Sequence, residues 1–121
     1  MKTSKDLVEK WFEKWRSGDF LNLPISDDFT HTSPYGTISG KQAYIDIVEA
    51  NKEQFLGYVF TIHDSVFERD KACVRYTANH GDFILEVSEW YYIMDNLIHS
   101  IVAYYNIDSE IPEDRQLETP E

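Results

Sequence analysis

The sequence has a single cysteine, half as many basic as acidic residues, and no long apolar run. Cys73 alone excludes an intramolecular disulfide, a pattern typical of reducing compartments. The 22 acidic and 11 basic residues give a formal net charge of −11, which disfavours binding to nucleic acid or anionic lipid. No stretch reaches the roughly 18 apolar residues of a membrane span, and the N-terminal MKTSKDLVEK has no apolar signal core. We therefore expect a cytoplasmic protein with no nucleic-acid and no membrane partner.

Apolar and aromatic residues are plentiful enough for one core. Of 121 residues, 42% are hydrophobic and 15% aromatic, which suits a single domain. We expect that domain to span residues 1–108. The remaining residues 109–121, SEIPEDRQLETPE, hold five acids against one arginine and are predicted to be an acidic, solvated tail.

Two helices are predicted in the first half of the chain. The segment LVEKWFEKW repeats its apolar residues at helical spacing; Thr3 and Asp6 before it form a capping box, and Gly18 after it suits a left-handed stop. A second helix is predicted to begin at Ser39, also at capping-box spacing, and to end near Gly57.

The second half of the chain has an apolar pattern of period two. Four long strands are predicted for YVFTIHDSVFE, ACVRYTAN, FILEVSEWYYIM and LIHSIVAYYNI, and a short one for ISDDFTHT ahead of the second helix. Helices followed by such a meander predict an α+β fold with the helices packed on one face of a mainly antiparallel sheet.

Glu89 is the most informative residue. Alternate strand residues share a face, so in LEVSEWYYI this glutamate lies with Tyr91 on the more apolar face. A buried, unpaired carboxylate costs several kcal/mol, so such a group protonates or finds donors. Burial would raise its pKa and make it a possible general acid or hydrogen-bond donor near neutral pH. Two alternatives stay open: a tyrosine hydroxyl or Arg75 satisfies it structurally, or a bulge turns it outward.

The DN turn sets the expected register of the last two strands. A two-residue hairpin at this turn places Val102 opposite Glu89, and Tyr104 and Asn106 then share the inner face. The other face would carry Trp90, Ile101 and Tyr105.

The segment DFTHTSPYG is predicted to form the lip of a pocket. Alternation places Phe29, His31 and Ser33 on one face, and Phe29 marks that face as the inner one; Tyr35 follows at the corner. Histidine suits proton transfer near neutral pH. The alternative is a histidine that is hydrogen-bonded in the core or at its rim.

In this order, RSGDF, ISDDFTHTSPYGTISG and LEVSEWYYIMDNLIHSIVAYY resemble the nuclear transport factor 2-like superfamily, in its SnoaL-like and ketosteroid-isomerase-like branch. The resemblance covers about residues 5–108 of this chain. It implies a cone, in which N-terminal helices close a strongly curved sheet around an apolar pocket. It also implies a homodimer formed through the outer sheet face.

The resemblance carries over a catalytic set only in part. The family's proton-abstracting aspartate before the corner proline falls at Ser33, its helix-one tyrosine at Trp11, and its protonated aspartate at Glu89. A serine without a base cannot take a proton from carbon, so the resemblance argues against steroid isomerisation. Other members use histidine–carboxylate pairs for dehydration, cyclisation or elimination, and His31 with Glu89 matches that chemistry.

Two functions stay open at this point. One is a cofactor-free acid–base enzyme of isomerase, cyclase or dehydratase type that acts on a small apolar or carbonyl-bearing molecule, with Glu89 as acid and His31 as base. The other is a non-catalytic ligand-binding or dimerisation module. We expect no cofactor and no metal, because the four histidines lack ligand spacing. The predicted ligand-binding residues are Trp11, Trp15, Phe29, Ser33, Tyr35, Phe55, Tyr91, Tyr104 and Asn106.

Overall fold

The computed structural model describes residues 2–106 and 113–115, so the expected tail at 109–121 lies outside the described residues except for 113–115. The helices are α1 Ser4–Ser17, α2 Lys41–Ala50 and α3 Lys52–Phe55. The strands are β1 Ile25–Ser33, β2 Gly36–Ser39, β3 Val59–Phe67, β4 Lys71–His80, β5 Phe83–Met94 and β6 Leu97–Tyr105. Short 3-10 turns lie at Phe20–Asn22 and Glu113–Arg115. None of the helices in these ranges is long and apolar enough to cross a membrane.

Helix α1 has the predicted ends. The Thr3 hydroxyl accepts from the Asp6 N–H, and the Asp6 carboxylate accepts from the Thr3 N–H, each at 3.1 Å. This capping box satisfies donors that a helix start leaves unpaired. At the other end Gly18 has φ +79°, where a side chain would be strained. The fixed ends present one apolar side of α1 to the sheet, with Leu7, Trp11 and Phe12 buried.

The six strands form one open sheet in the order β2-β1-β6-β5-β4-β3. Every neighbouring pair is antiparallel except β1 and β6, which run parallel. The core lies between the helices and one face of this sheet. The predicted α+β class and mainly antiparallel sheet are therefore confirmed.

The corner after β1 differs from the prediction. Ser39 does not cap a helix, because it ends β2 and pairs with Thr30 of β1. The Pro34–Tyr35 turn thus joins two strands, and Gly40, at φ +99° and without a side-chain cap, precedes α2. The second helix also breaks at Asn51 instead of continuing to Gly57.

A register shift lies near the start of β6. Beyond the Asp95–Asn96 turn, Ile93 pairs with Ile98 but Tyr92 pairs with Ser100, so His99 is an extra residue on β6. Such a bulge moves every later residue of its strand to the opposite face.

The bulge corrects the expected faces of β6. Glu89 pairs with Ala103, not with Val102. Tyr104 is 63% exposed and Asn106 is also exposed, so the prediction that they lie inside was wrong. The predicted outward facing of Ile101 and Tyr105 was wrong for the same reason, since Ile101 is fully buried and Tyr105 lines a cavity. Trp90 lies on the outer face as predicted.

Candidate functional site

A cavity of about 590 Å3 lies between the helices and the inner face of the sheet. Its polar lining groups are Glu89, His31, His80, Glu53 and Gln54. Most of the wall is aromatic, because α1, α2, α3, the sheet and the turns beside them carry rings at positions that line the cavity. These are Trp11, Phe12, Trp15, Tyr35, Tyr44, Phe55, Tyr58, Phe60, Tyr76, Phe83 and Tyr105.

Glu89 faces inward from β5, as its strand position predicts, and only 4% of its surface is exposed. The Tyr76 hydroxyl donates to Oε2 across 3.1 Å, and the Tyr91 hydroxyl donates to Oε1. Tyrosine hydroxyls therefore satisfy the carboxylate. Arg75 does not, because it forks onto Asp64 at 2.9 and 2.7 Å in an exposed pair.

Burial raises the pKa of the Glu89 carboxyl to about 7. Hydrogen bonds from Tyr91 and Tyr76, and a smaller contribution from the Trp11 indole, favour the charged form and limit the rise. A group with this pKa exists in both protonation states near neutral pH. Glu89 can therefore donate or accept a proton at the cavity surface.

His31 lines the same cavity from β1, beside the buried Phe29. Its ring centroid lies 5.3 Å from that of Tyr44 and 6.4 Å from that of Phe29. Burial lowers the pKa of His31 to about 4, so its imidazole is neutral at neutral pH. The ring keeps some accessible surface because it faces the cavity, although protein atoms surround it on its other sides.

Tyr44 lies next to His31 and within electrostatic reach of Glu89. Burial and the negative charge of Glu89 raise its pKa well above the usual tyrosine value. Its hydroxyl therefore stays protonated and remains a hydrogen-bond donor. Sequence patterning placed Tyr44 in neither the catalytic nor the ligand-binding set.

The predicted site residues fall into three groups. Trp11, Trp15, Tyr35 and Phe55 line the cavity together with Glu89 and His31. Phe29 and Tyr91 are fully buried and lie behind its wall, and Ser33 is half-buried, with its hydroxyl accepting a hydrogen bond from the Tyr35 N–H. The remaining two, Tyr104 and Asn106, are exposed outside it. A binding role for any of these side chains stays a prediction.

Several lining residues were missed, for two different reasons. Tyr76 alternates with buried Val74 and Ala78 on β4, so period-two patterning was sufficient to find it. Tyr105 was assigned to the wrong face because no local signal marks the bulge at His99. In the ranges 2–106 and 113–115, no three His, Cys, Asp or Glu side chains cluster in a way that could hold a metal ion.

Comparison with known proteins gives a family match and a set of similar structures. A family model described as a SnoaL-like domain matches residues 8–99. An NTF2-like protein of unknown function from Cytophaga hutchinsonii is 21% identical, with a TM-score of 0.75 over 88% of this chain and 92% of that one. No curated protein sequence matches.

Two further structures carry functional descriptions. A candidate ketosteroid isomerase from Kribbella flavida has a TM-score of 0.72 and 17% identity over 95% of this chain and 88% of that one. A candidate polyketide cyclase from Xanthomonas campestris has a TM-score of 0.68 and 15% identity over 84% and 89%. At these identities the likeness shows a shared fold.

Proposed function

The chain belongs to the SnoaL-like domain family, and on that premise we propose that its cavity binds a small, mostly apolar molecule whose polar group meets Glu89. The observation that carries this proposal is a nearly inaccessible carboxyl at the surface of an aromatic cavity. Burial of a carboxyl costs free energy of folding, and groups with a shifted pKa that line a cavity are common at functional sites.

Acid–base catalysis without a cofactor is the reaction class that this site supports. Glu89, with a pKa of about 7, is suited to exchange a proton with the ligand. Neutral His31, whose pKa is about 4, is a weaker base and suits a hydrogen bond that orients the ligand. Isomerisation, cyclisation and dehydration all need such a proton exchange.

Cavity binding can be tested with a neutral, apolar fluorophore such as Nile red. Leu85→Trp adds an indole inside the cavity, whereas Ile84→Trp adds it at the preceding residue, which lies on the exposed face of the same strand. Leu85→Trp should weaken dye binding at least about tenfold, because added bulk competes with the ligand for space. Ile84→Trp should bind like the wild type. Equal binding by both variants, or no binding by the wild type, would contradict the proposal.

A non-catalytic binding module is the second candidate. It is favoured because both Glu89 oxygens already accept tyrosine hydrogen bonds, as a purely structural carboxylate would. Glu89→Gln and His31→Ala test whether these two side chains have a functional or a structural role. If the melting temperature stays level or rises, the two side chains serve function at the expense of stability. If it falls strongly in both variants, they have a structural role.

We also propose that a second copy of the chain covers the outer sheet face. Trp90, Tyr92 and Tyr104 lie there with 39%, 39% and 63% of their surface exposed, and Val102 pairs with Trp90 between them. Trp90→Lys should shift a dimer to monomer in analytical ultracentrifugation, because it places a charge in an apolar contact. Leu21→Lys, on an exposed turn away from this face, is the control.

A further inference from the structure

The described lining of the cavity carries negative charge without a matching cation. Glu89 lies inside and Glu53 also lines the cavity, while none of the lining residues is lysine or arginine. His31 is neutral at neutral pH because burial lowers its pKa to about 4. The formal net charge of the whole chain is −11, so its field reinforces this local imbalance.

The hydrogen bonds around Glu89 leave room for a donor. An ionised carboxylate has about four acceptor positions. Tyr76 and Tyr91 each donate to one oxygen and the Trp11 indole makes a smaller contribution, so an acceptor position remains on a group that also lines the cavity. Two hydroxyl donors organise the acceptor-only form of the carboxyl. A ligand that donates an N–H therefore completes this arrangement better than a second acceptor does.

The aromatic walls add a second attraction for positive charge. Trp11 and Trp15 meet edge to face with their centroids 5.5 Å apart, and Phe55 stacks near Trp15 at 6.2 Å. A cation within about 6 Å of a ring face is attracted by the ring quadrupole, most strongly by tryptophan. One ring of the cavity wall, Phe12, already has a cation at this range, because Arg16 lies 5.8 Å from its centroid in a separate groove between α1 and β3.

We propose that the preferred occupant of this cavity is a small apolar amine, bound as its protonated ammonium between the Glu89 carboxylate and the aromatic walls. This inference rests on the proposed function, because it specifies the class of molecule that the same cavity takes. The ammonium N–H would donate to Glu89, and the apolar body would fill the space between the rings.

Proton linkage follows from this pairing. An ammonium favours the charged form of Glu89, so amine affinity should rise with pH as Glu89 ionises, whereas a ligand that needs a donor would show the reverse. Burial keeps the nearby tyrosines neutral in this range, and His31 stays neutral as well. The groups around Glu89 on the inner side are Tyr76 of β4, Tyr91 of β5, Trp11 of α1, Tyr44 of α2, Tyr105 of β6, and His31 of β1, which lines the same cavity. Cys73 of β4 pairs with Trp90 on the outer face.

The test uses three naphthalene probes of nearly equal size: naphthylmethylamine, naphthylmethanol and naphthoate. Isothermal titration calorimetry at about pH 8 should show the protonated amine binding about tenfold or more tightly than the alcohol, and naphthoate weakest. At about pH 6 the preference for the amine should shrink, because Glu89 is then mostly protonated. The amine itself stays protonated at both values.

Two variants test whether the preference for the amine comes from Glu89. Glu89→Gln should abolish both the preference for the amine and its pH dependence. Glu86→Gln removes an exposed carboxylate from the outer face of β5, outside the cavity lining, and should keep both. The wild-type comparison of probes needs no variant, so a Glu89→Gln protein that failed to fold would still leave the inference tested.

The outcomes separate this inference from the proposed function. If the alcohol or naphthoate bound as tightly as the amine, the amine preference would be overturned while a cavity for small apolar molecules remained. If no probe bound, both would fall. A preference for the amine that survived in Glu89→Gln would also overturn the inference.

Discussion

The Tyr76 hydroxyl on β4 donates a 3.1 Å hydrogen bond to Oε2 of Glu89 on β5. Tyr76 is 7% exposed and its ring packs edge to face against Phe12, with the centroids 5.0 Å apart. Packing in the core therefore holds the Tyr76 ring in place, and its hydroxyl in turn orients the Glu89 carboxylate. This relationship holds an ionisable group in one orientation at the cavity surface, which is a requirement for proton transfer to a bound molecule.

Removing one tyrosine donor should raise the pKa of Glu89 further. Tyr91→Phe and Tyr76→Phe each delete a hydrogen bond that favours the charged carboxyl. Each should also lower the free energy of unfolding at about pH 8 by about 1–3 kcal/mol, because a buried charge loses a partner. Tyr92→Phe, half-exposed on the opposite face, is the matched control and should change neither quantity. If all three variants changed the Glu89 pKa and the free energy of unfolding equally, Tyr76 and Tyr91 would not be the donors that stabilise the charged carboxyl.

Glu89 and His31 should make opposite contributions to the pH dependence of stability. The Glu89 pKa rises on folding from 4.5 to about 7, so folded Glu89 keeps a proton that the unfolded chain releases, and stability falls as pH rises. The His31 pKa falls on folding from 6.5 to about 4, so the unfolded chain holds the extra proton, and stability rises with pH. Between about pH 4.5 and 6.5 the two slopes, each up to about 1.4 kcal/mol per pH unit, should offset each other.

Single substitutions should reveal each slope. Relative to the wild type, the free energy of unfolding of Glu89→Gln should increase as pH rises through this window, and that of His31→Gln should decrease. Urea denaturation at several pH values measures both differences, and all other titrating groups cancel in the comparison. Two variants whose curves ran parallel to the wild type would show that neither pKa is shifted.

Local chemistry made much of the fold predictable. The Thr3–Asp6 capping box and the glycine at position 18 act within one helix, so the sequence alone located both ends of α1. Period-two alternation in β5 depends only on strand geometry, and it correctly placed Glu89 among apolar neighbours. A charged residue such as Glu89 is easily recognised when the residues two positions before and after it are apolar or aromatic.

The missed features depend on pairing between strands. Ser39 has the composition of a helix cap, but its pairing with β1 overrides that local preference. The extra residue His99 has no distinctive local sequence, since its position is set by how Ile98 and Ile101 reach the core together. Without a bulge, these two residues would face opposite sides of the sheet. The sheet face of each β6 side chain was therefore predictable up to the bulge, and beyond the bulge it was not.

Deleting His99 tests this account of β6. The deletion removes the extra residue and lets Ser100 follow Ile98 directly, so Ile101 and Ala103 should keep their inward facing. The protein should remain folded. Its free energy of unfolding should fall modestly, in part because the 3.3 Å contact between His99 and Asp28 is lost. Deleting Val102 instead would turn Ala103 and Tyr105 outward and should abolish cooperative unfolding. Circular dichroism during thermal unfolding distinguishes the two, and equal damage from both deletions would contradict the register.

The most direct test of the site is a carbon-13 NMR titration of the Glu89 side-chain carboxyl, assigned by its absence in Glu89→Gln. A carboxyl buried at the surface of an aromatic cavity should titrate with a midpoint near 7. A midpoint at the ordinary value of 4.5 would mean that water solvates this group, and would contradict the buried, ligand-facing carboxyl on which the proposed function depends.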